Sequence, residues 1–442
     1  MSPPLNRINS DERLPAQVDV VVIGGGVIGV SAAYHLAKKG HSVALVEKGR
    51  VGGEQSSRNW GWCRQQGRAR EEIPLAREAL RLWEDMQNDA GVDAGFRRTG
   101  VLFLTKSQDE LAGWERWAAI AREQQVHSTV LTPAEVAERM PDNADKWVGG
   151  LHTPSDGRAE PSMAVPALAT AARKHGVTIH QGCAARGLET TGGQVSAVVT
   201  EKGTIRTQSV LLAGGAWSSL FCRRHGIELP IGLVNATACR TTPGPEITSG
   251  ALGTDFYCIR RRLDGGFTLA LRNRGTVELS PDLFRYARTF WPTYQHRKNG
   301  LKLSFGRSFF DQLMRGTSWS FDKPSPFEAE RVRDPAPDMS LVTAALAALI
   351  KSNPELKDIE IAEAWGGTID CTPDTIPVIS PVDALPGFFL ATGFSGHGFG
   401  IGPAAGKLAA DIVTGAKPLV DPAAYSHKRM IDGRRLAPVS PF

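Results

Sequence analysis

The segment Val18-Asp19-Val20-Val21-Val22-Ile23 runs directly into Gly24-Gly25-Gly26-Val27-Ile28-Gly29. A β-branched run of this kind is buried on both faces in a parallel sheet, so a strand is predicted there. A helical pattern follows through Ile28, Ala32 and Leu36, Gly40 stops it, and Ser42 to Val46 forms a second strand ending at Glu47. The unit is a complete βαβ start. Glycines in the GxGxxG pattern between strand and helix, with an acid 18 residues beyond Gly29, point to dinucleotide binding. Gly24 permits the tight turn and Gly26 lets backbone approach a pyrophosphate. Gly29 lets the helix pack closely on the strand, its N-terminus facing the phosphates. Glu47 is expected to accept from the ribose hydroxyls. A carboxylate there repels a 2′-phosphate, which argues against NADP and leaves FAD or NAD.

The remaining composition narrows the class. With 442 residues, 41% hydrophobic and 22% charged, the chain is long enough for two or three lobes and too apolar to be largely disordered. A net charge of +5 without runs of like charge gives no nucleic-acid-binding surface. The longest apolar stretches, Val18 to Val30 and Leu341 to Ile350, are too short to span a bilayer, so no integral membrane span is expected. Met1 to Gln17 has no apolar core of a secretory signal. Six cysteines lie scattered without a CxxC pair, which predicts a reduced cytoplasmic protein with no metal site.

Further along, Gly176 to Cys183 reads as a strand, followed by alternating Val195, Ala197 and Val199, a Lys202-Gly203 turn, and Ile205 and Thr207, the pattern of a β-meander. Ser209 to Leu212 is another buried strand, running into the small residues Ala213-Gly214-Gly215-Ala216 and then Trp217. Near the C-terminus Gly387 to Gly393 forms a strand that opens into Phe394-Ser395-Gly396-His397-Gly398-Phe399-Gly400-Ile401-Gly402, with Pro403 expected to start a helix. A second helix N-terminus thus follows a glycine loop. A reduced flavin benefits from such a positive end, whereas NAD needs only the first.

The fingerprint from Gly24 to Glu47, Ser56-Ser57-Arg58-Asn59, Ala213 to Trp217, Thr372-Pro373-Asp374-Thr375-Ile376-Pro377-Val378-Ile379 and Gly393 to Phe399 together resemble the FAD-dependent D-amino-acid/glycine/sarcosine oxidase family. The resemblance runs in order from residue 18 to about 416. It implies an α/β fold, with a discontinuous Rossmann-type FAD domain (18–95, 155–228 and 363–416) and a mixed-sheet α+β substrate domain (96–154 and 229–362). Residues 417–442 remain as a C-terminal tail. It also implies oxidation of a C–N bond in an amino acid or secondary amine, by hydride transfer to flavin N5 and hydrolysis of the imine. Oxygen, a quinone or a carrier protein would take the electrons. A reading from another class is a flavin-carrying, catalytically silent subunit of a larger oxidase.

Carried over by position, the resemblance implies that Val27 and Ile28 face the pyrophosphate, Ser56 and Ser57 the phosphates, and Ala185 the adenine. Ala213, Gly214 and Trp217 would lie along the middle of the cofactor, and Gly396, His397, Gly398, Phe399 and Gly400 at the pyrimidine edge. Two departures bear on chemistry. Gly367 stands where the sarcosine-oxidase subgroup has a flavin-linking cysteine, so FAD is expected to be non-covalent. Gly400 stands where that subgroup has a lysine for the substrate carboxylate.

An arginine is then the expected carboxylate ligand, because its planar fork donates in pairs. Arg64, in the stretch Trp60-Gly61-Trp62-Cys63-Arg64, is the first candidate, and Arg260 or Arg261 the second. A hairpin through Asp264-Gly265-Gly266 puts Tyr257, Ile259 and Arg261 on one face and Arg260 and Arg262 on the other, and one of these faces is expected to line the pocket. Tyr257 and Trp365 complete the candidate substrate wall. Scaffold features are the helical spacing of Leu75, Ala79, Leu82 and Met86, and the capping box Thr132-Pro133-Ala134-Glu135. The aromatic and basic stretch from Phe284 to Leu313 is read as a helical elaboration forming a lid or a subunit contact.

Overall fold

A computed structural model describes residues 3–306, 309–310, 313–314, 316 and 318–438. The first strand, Val20–Ile23, lies inside a six-stranded sheet ordered Val378–Pro381, Phe388–Thr392, Ser209–Leu212, Val20–Ile23, Val43–Glu47 and Thr178–Gln181. All its pairings are parallel except the outermost, Val378–Pro381 against Phe388–Thr392. Alternation along the strand serves two cores. Val20 and Val22 pack under the helices Val27–Lys38, Ile73–Ala90, Pro161–Lys174 and Gly398–Val413, whereas Val21 and Ile23 face the meander of Ala185–Thr191, Gln194–Thr200 and Gly203–Arg206. The β-branched run is therefore buried on both sides, as its composition requires.

The second sheet is mixed. Its ten strands among the described residues run Leu301–Ser304, Gly275–Glu278, Gly232–Thr241, Phe267–Ala270, Cys258–Arg261, Ala251–Gly253, Val101–Thr105, Gly149–Thr153 and Thr129–Leu131, with Ile361–Cys371 paired to Gly232–Thr241. The helix Met339–Ser352 covers one face through Val342, Ala345 and Leu349. The sequence-based boundary at 363 places most of Ile361–Cys371 with the nucleotide segments, but its ladder with Gly232–Thr241 makes it part of this sheet. The helices Pro281–Arg285 and Ala287–Arg297 begin the elaboration expected from Phe284. Arg307, Ser308, Asp311 and Gln312 of that stretch lie outside the described residues.

Local signals fix several ends. Thr132 and Glu135 form both halves of the capping box. The C-terminal helix differs from expectation, since it begins at Gly398 with Pro403 inside it. Its first turn is held from outside, because the Trp83 indole N–H donates to the Gly400 carbonyl at 3.0 Å. The expected tail is anchored as well. Tyr425 donates to the Glu71 carbonyl at 2.7 Å, and Arg429 pairs at 2.8 Å with Asp374 of the Thr-Pro-Asp motif. Residues 439–442 lie outside the described residues. No helix among the described residues is long and apolar enough to cross a membrane.

Candidate active site

The glycine turn defines one end of a cleft. Gly24 has φ +113°, and a Cβ there would lie 2.3 Å from the Ala213 carbonyl oxygen, so only glycine fits the turn. A Cβ on Gly29 would lie 2.0 Å from the Gly24 carbonyl, which accounts for the close approach of helix to strand. Glu47 sits behind the turn and accepts from the Gly25 amide through Oε2 and the Gly49 amide through Oε1, both at 2.7 Å. Burial raises its pKa, and the two amides pull against that shift. Ser56 Oγ accepts from the Val27 amide at 3.0 Å, at the N-terminus of the first helix.

Gly24, Gly26, Val27, Ile28, Glu47, Ser56, Ala185, Ala213, Gly214 and Trp217 line this cleft together with Gly396, Gly398 and Phe399 from the second glycine loop. Trp217 is fixed by donating to Glu54 Oε1 at 3.1 Å, with Lys48 Nζ 4.0 Å from its ring centroid. Two helix N-termini, a buried carboxylate and a floor without side chains suit the pyrophosphate and ribose of a dinucleotide.

A second cavity of about 720 Å³ adjoins the cleft and shares Gln55, Asn59, Gly396 and Phe399 with it. Its walls include Trp60, Trp62 and Phe103 from one side, and Leu283, Phe290, Trp291 and Tyr294 of the helical elaboration from the other. Arg64, Arg68, His397 and Gly400 also line it. The loop carrying the two arginines is pinned by Asp156, which accepts from the amides of Gln65 at 2.8 Å and Gln66 at 3.1 Å. Arg64 donates through Nη1 to the Gln66 carbonyl and lies over Phe103, 5.5 Å from the ring centroid. Burial, and then the charge of Arg68, bring its pKa down to about 9, which still leaves it a cation at neutral pH. His397 Nδ1 is 3.2 Å from Glu72 Oε1. Burial holds this imidazole down at about 4, so at pH 7 it is neutral, Nδ1–H donates to Glu72, and Nε2 is left as an acceptor.

Comparison with known proteins agrees with this geometry. The DAO family of FAD dependent oxidoreductases matches residues 19–412. The chain belongs to that family. Among solved structures, the L-amino acid deaminase from Proteus myxofaciens in complex with anthranilate superposes with a TM-score of 0.93, at 32% identity, covering 97% of each chain. Among curated relatives, the regulatory subunit of mitochondrial pyruvate dehydrogenase phosphatase from Mus musculus is 25% identical over 406 residues, or 90% of this chain. Mitochondrial dimethylglycine dehydrogenase from Rattus norvegicus is 25% identical over 410 residues, or 92% of this chain. The chain spans only 41% and 44% of the length of these two relatives.

This member of the DAO family does not bring all the expected residues to the site. Arg260 is fully buried, with Nε donating to Trp60 O at 2.7 Å, Nη1 to Glu160 Oε1 at 2.7 Å and Nη2 to Thr268 Oγ1 at 2.9 Å. Its donors face protein acceptors and not the cavity. Arg261 donates to Gly244 O at 2.9 Å and packs over Phe267, also off the cavity. Tyr257 is enclosed in the core under Met339–Ser352, its hydroxyl accepting from Asn353 Nδ2 at 3.1 Å. Trp365 is 2% exposed and donates to the Arg58 carbonyl at 2.9 Å. Among the described residues of the two strands Cys258–Arg261 and Phe267–Ala270, the hairpin reaches the cavity through Cys258, and Leu271 and Arg272 join it just past the return strand. Ser57 turns away from the cleft and donates to Glu54 O at 3.1 Å. His397 and Gly400 face the second cavity and not the cleft.

Other cavity residues carried no sequence signal. Arg68 and Glu72 lie in a stretch without helical or strand period, so nothing marked them as facing Arg64 or His397. Gln55 precedes the serine pair, yet its Oε1 is buried without a partner at the junction of cleft and cavity.

Proposed function

We propose that this chain oxidises the C–N bond of an amino acid or secondary amine, with FAD held non-covalently in the glycine-lined cleft and the substrate in the adjoining cavity. The observation that carries this reading is the continuity of the two spaces through Gln55, Asn59, Gly396 and Phe399, with the Arg64 guanidinium, free of any ion pair among the described residues, at the wall of the larger one. FAD, when bound, supplies the acceptor for a hydride from the carbon beside nitrogen. The chain supplies position and electrostatics. Arg64 holds a substrate carboxylate, and fixing that group orients the reacting carbon. The nearby cations lower the pKa of the substrate ammonium, favouring the free amine. The aromatic walls keep water from the reacting atoms and accept an apolar substituent. Hydrolysis of the product imine gives the carbonyl compound and the amine.

Non-covalent attachment is the expectation that the nearby thiols support, burial also pushing the cavity-lining Cys258 up to about 11. Gly367 offers none, and a Cβ there would lie 2.4 Å from Gln55 Oε1. Burial pushes the neighbouring Cys371 up to about 12, so it stays protonated and unreactive at neutral pH. Acid precipitation is expected to leave all flavin in the supernatant.

The reading is tested by anaerobic mixing of the FAD-loaded protein with a panel of amino acids and amines. Bleaching of the flavin's visible absorption is expected with at least one of them, and no bleaching with any supports the silent-subunit reading instead. Arg64→Ala is expected to raise KM for an amino acid by about ten- to a hundredfold more than for its decarboxylated amine. Equal effects on the two would remove Arg64 from carboxylate binding.

A further inference from the structure

Arg68 is 3% exposed, and its Nε and Nη1 are sealed from solvent without a hydrogen-bond partner. Its acidic neighbours do not complete it. Glu72 is taken by His397 at 3.2 Å, and Asp156 is taken by the amides of Gln65 and Gln66. No carboxylate among the described residues comes within the 4.0 Å of an ion pair with Arg68. A buried guanidinium with open donors is destabilising until an acceptor arrives. Arg68 lines the same cavity as Arg64, four residues before it in the pinned loop, and the two like charges repel each other.

We propose that Arg68 and Arg64 donate together to a single substrate carboxylate, which makes Arg68 a specificity-determining residue and the anion subsite a two-arginine clamp. The inference rests on the reading of this cavity as the substrate site. A carboxylate shared by both guanidinium groups would relieve the repulsion between them, which Asp156 and Glu72 offset only in part. Beside the two arginines the wall carries the apolar Trp60, Trp62 and Phe103, while the further cations Arg272, Arg274 and Arg297 come from later segments, Arg272 already paired with Glu110 and Asp255. The substrate class is therefore an amino acid whose carboxylate both arginines hold, with Trp60, Trp62 and Phe103 placed to take an apolar part of it.

The test uses FAD-loaded protein and benzoate as a non-reacting monocarboxylate, followed by perturbation of the flavin spectrum. R64A and R68Q are each expected to raise the benzoate Kd at least about tenfold, and the double variant to raise it by less than the product of the two, because both act on one group. Benzylamine, which lacks the carboxylate, is expected to change by less than about twofold in R68Q. R68K keeps the charge but loses the planar fork, and is expected to weaken benzoate while folding normally. In a crystal structure of the wild type with benzoate, both guanidinium groups are expected about 2.7–2.9 Å from its carboxylate oxygens. Unchanged benzoate binding in both R68Q and R68K, or a carboxylate on Arg64 alone in that structure, would overturn the clamp. If no amine in the panel reduces the flavin, the oxidation reading fails, while benzoate binding still decides for or against Arg68.

Discussion

Arg260 and Glu160 form a 2.7 Å ion pair in which neither side chain exceeds 4% exposure. Glu160 Oε1 accepts in addition from the Leu263 amide at 2.8 Å, so the pair ties the hairpin to the start of the helix Pro161–Lys174. Removing Arg260 leaves the buried Glu160 carboxylate, among the described residues, only the longer 3.8 Å pair with Arg158. Arg260→Met is therefore expected to lower stability by about 3–5 kcal/mol in denaturant unfolding. The KM ratio between an amino acid and its amine should stay at the wild-type value, and a change in that ratio at full stability would restore Arg260 to the substrate site.

Glu47 holds the glycine turn by two amides and leaves lone pairs for a ribose. Glu47→Ala removes a charge-assisted acceptor of about 1.5–3 kcal/mol, so FAD affinity should fall about ten- to a hundredfold. Titration of apoprotein with FAD, read by fluorescence, checks this. Unchanged affinity would refute the assignment.

Gly400 leaves no space for a side chain, because its Cβ would lie 2.8 Å from the Trp62 carbonyl oxygen and 3.1 Å from Cys63 Cα, both backbone atoms. Gly400→Lys is expected to cost about 1–3 kcal/mol of stability, or more, and to give no gain in carboxylate binding. A stable variant with a lower KM for an amino acid would contradict this packing.

His225 accepts from the Leu188 amide through Nε2 at 3.2 Å, and burial lowers its pKa from 6.5 to about 4. The folded state binds its proton less readily than the unfolded chain, so the stability this neutral ring contributes is present above about 6.5 and lost as pH falls toward 4. Asp156, raised to about 6 by burial, acts in the opposite sense, because its folded form takes up a proton first. The total pH profile therefore mixes both signs, and a single variant isolates one. His225→Gln keeps an acceptor without the titration and should lose less stability between pH 7 and pH 5 than the wild type, by about 1–2 kcal/mol. Parallel thermal unfolding curves at the two pH values would disprove it.

The nucleotide side of the molecule was legible in the sequence because its constraints are local. A run of valines, a turn that admits only glycine at Gly24, and an acid at Glu47 each leave a mark at fixed spacing. The substrate side was not, because it is assembled from segments far apart in the chain. Period two correctly separated Tyr257 from Arg260, but which face met the cavity depended on Trp60 and Glu160, about two hundred and one hundred residues earlier. The position of Arg64 after the serine pair points to the cavity wall, which it does line. Arg68 stayed hidden because its significance lies in the missing partners of its guanidinium, which no residue pattern records. The last helix starts before Pro403 because the preceding glycines, which read as loop, are held in a helical turn by the Trp83 indole at the Gly400 carbonyl.

The helix Val27–Lys38 and the helix Gly398–Val413 touch with almost nothing between them. A Cβ on Gly402 would lie 2.6 Å from Val27, and one on Gly406 2.5 Å from Ser31. The first turns of these two helices supply Val27 and Ile28 at one end of the cleft and Gly398 and Phe399 at the other. Because the crossing lies within one or two turns of both ends, the two ends share a fulcrum and keep a fixed span. A ligand that strains one end must work against the other, so the cleft measures the length of what it holds, and a side chain added at position 402 would recalibrate that measure without touching the ligand.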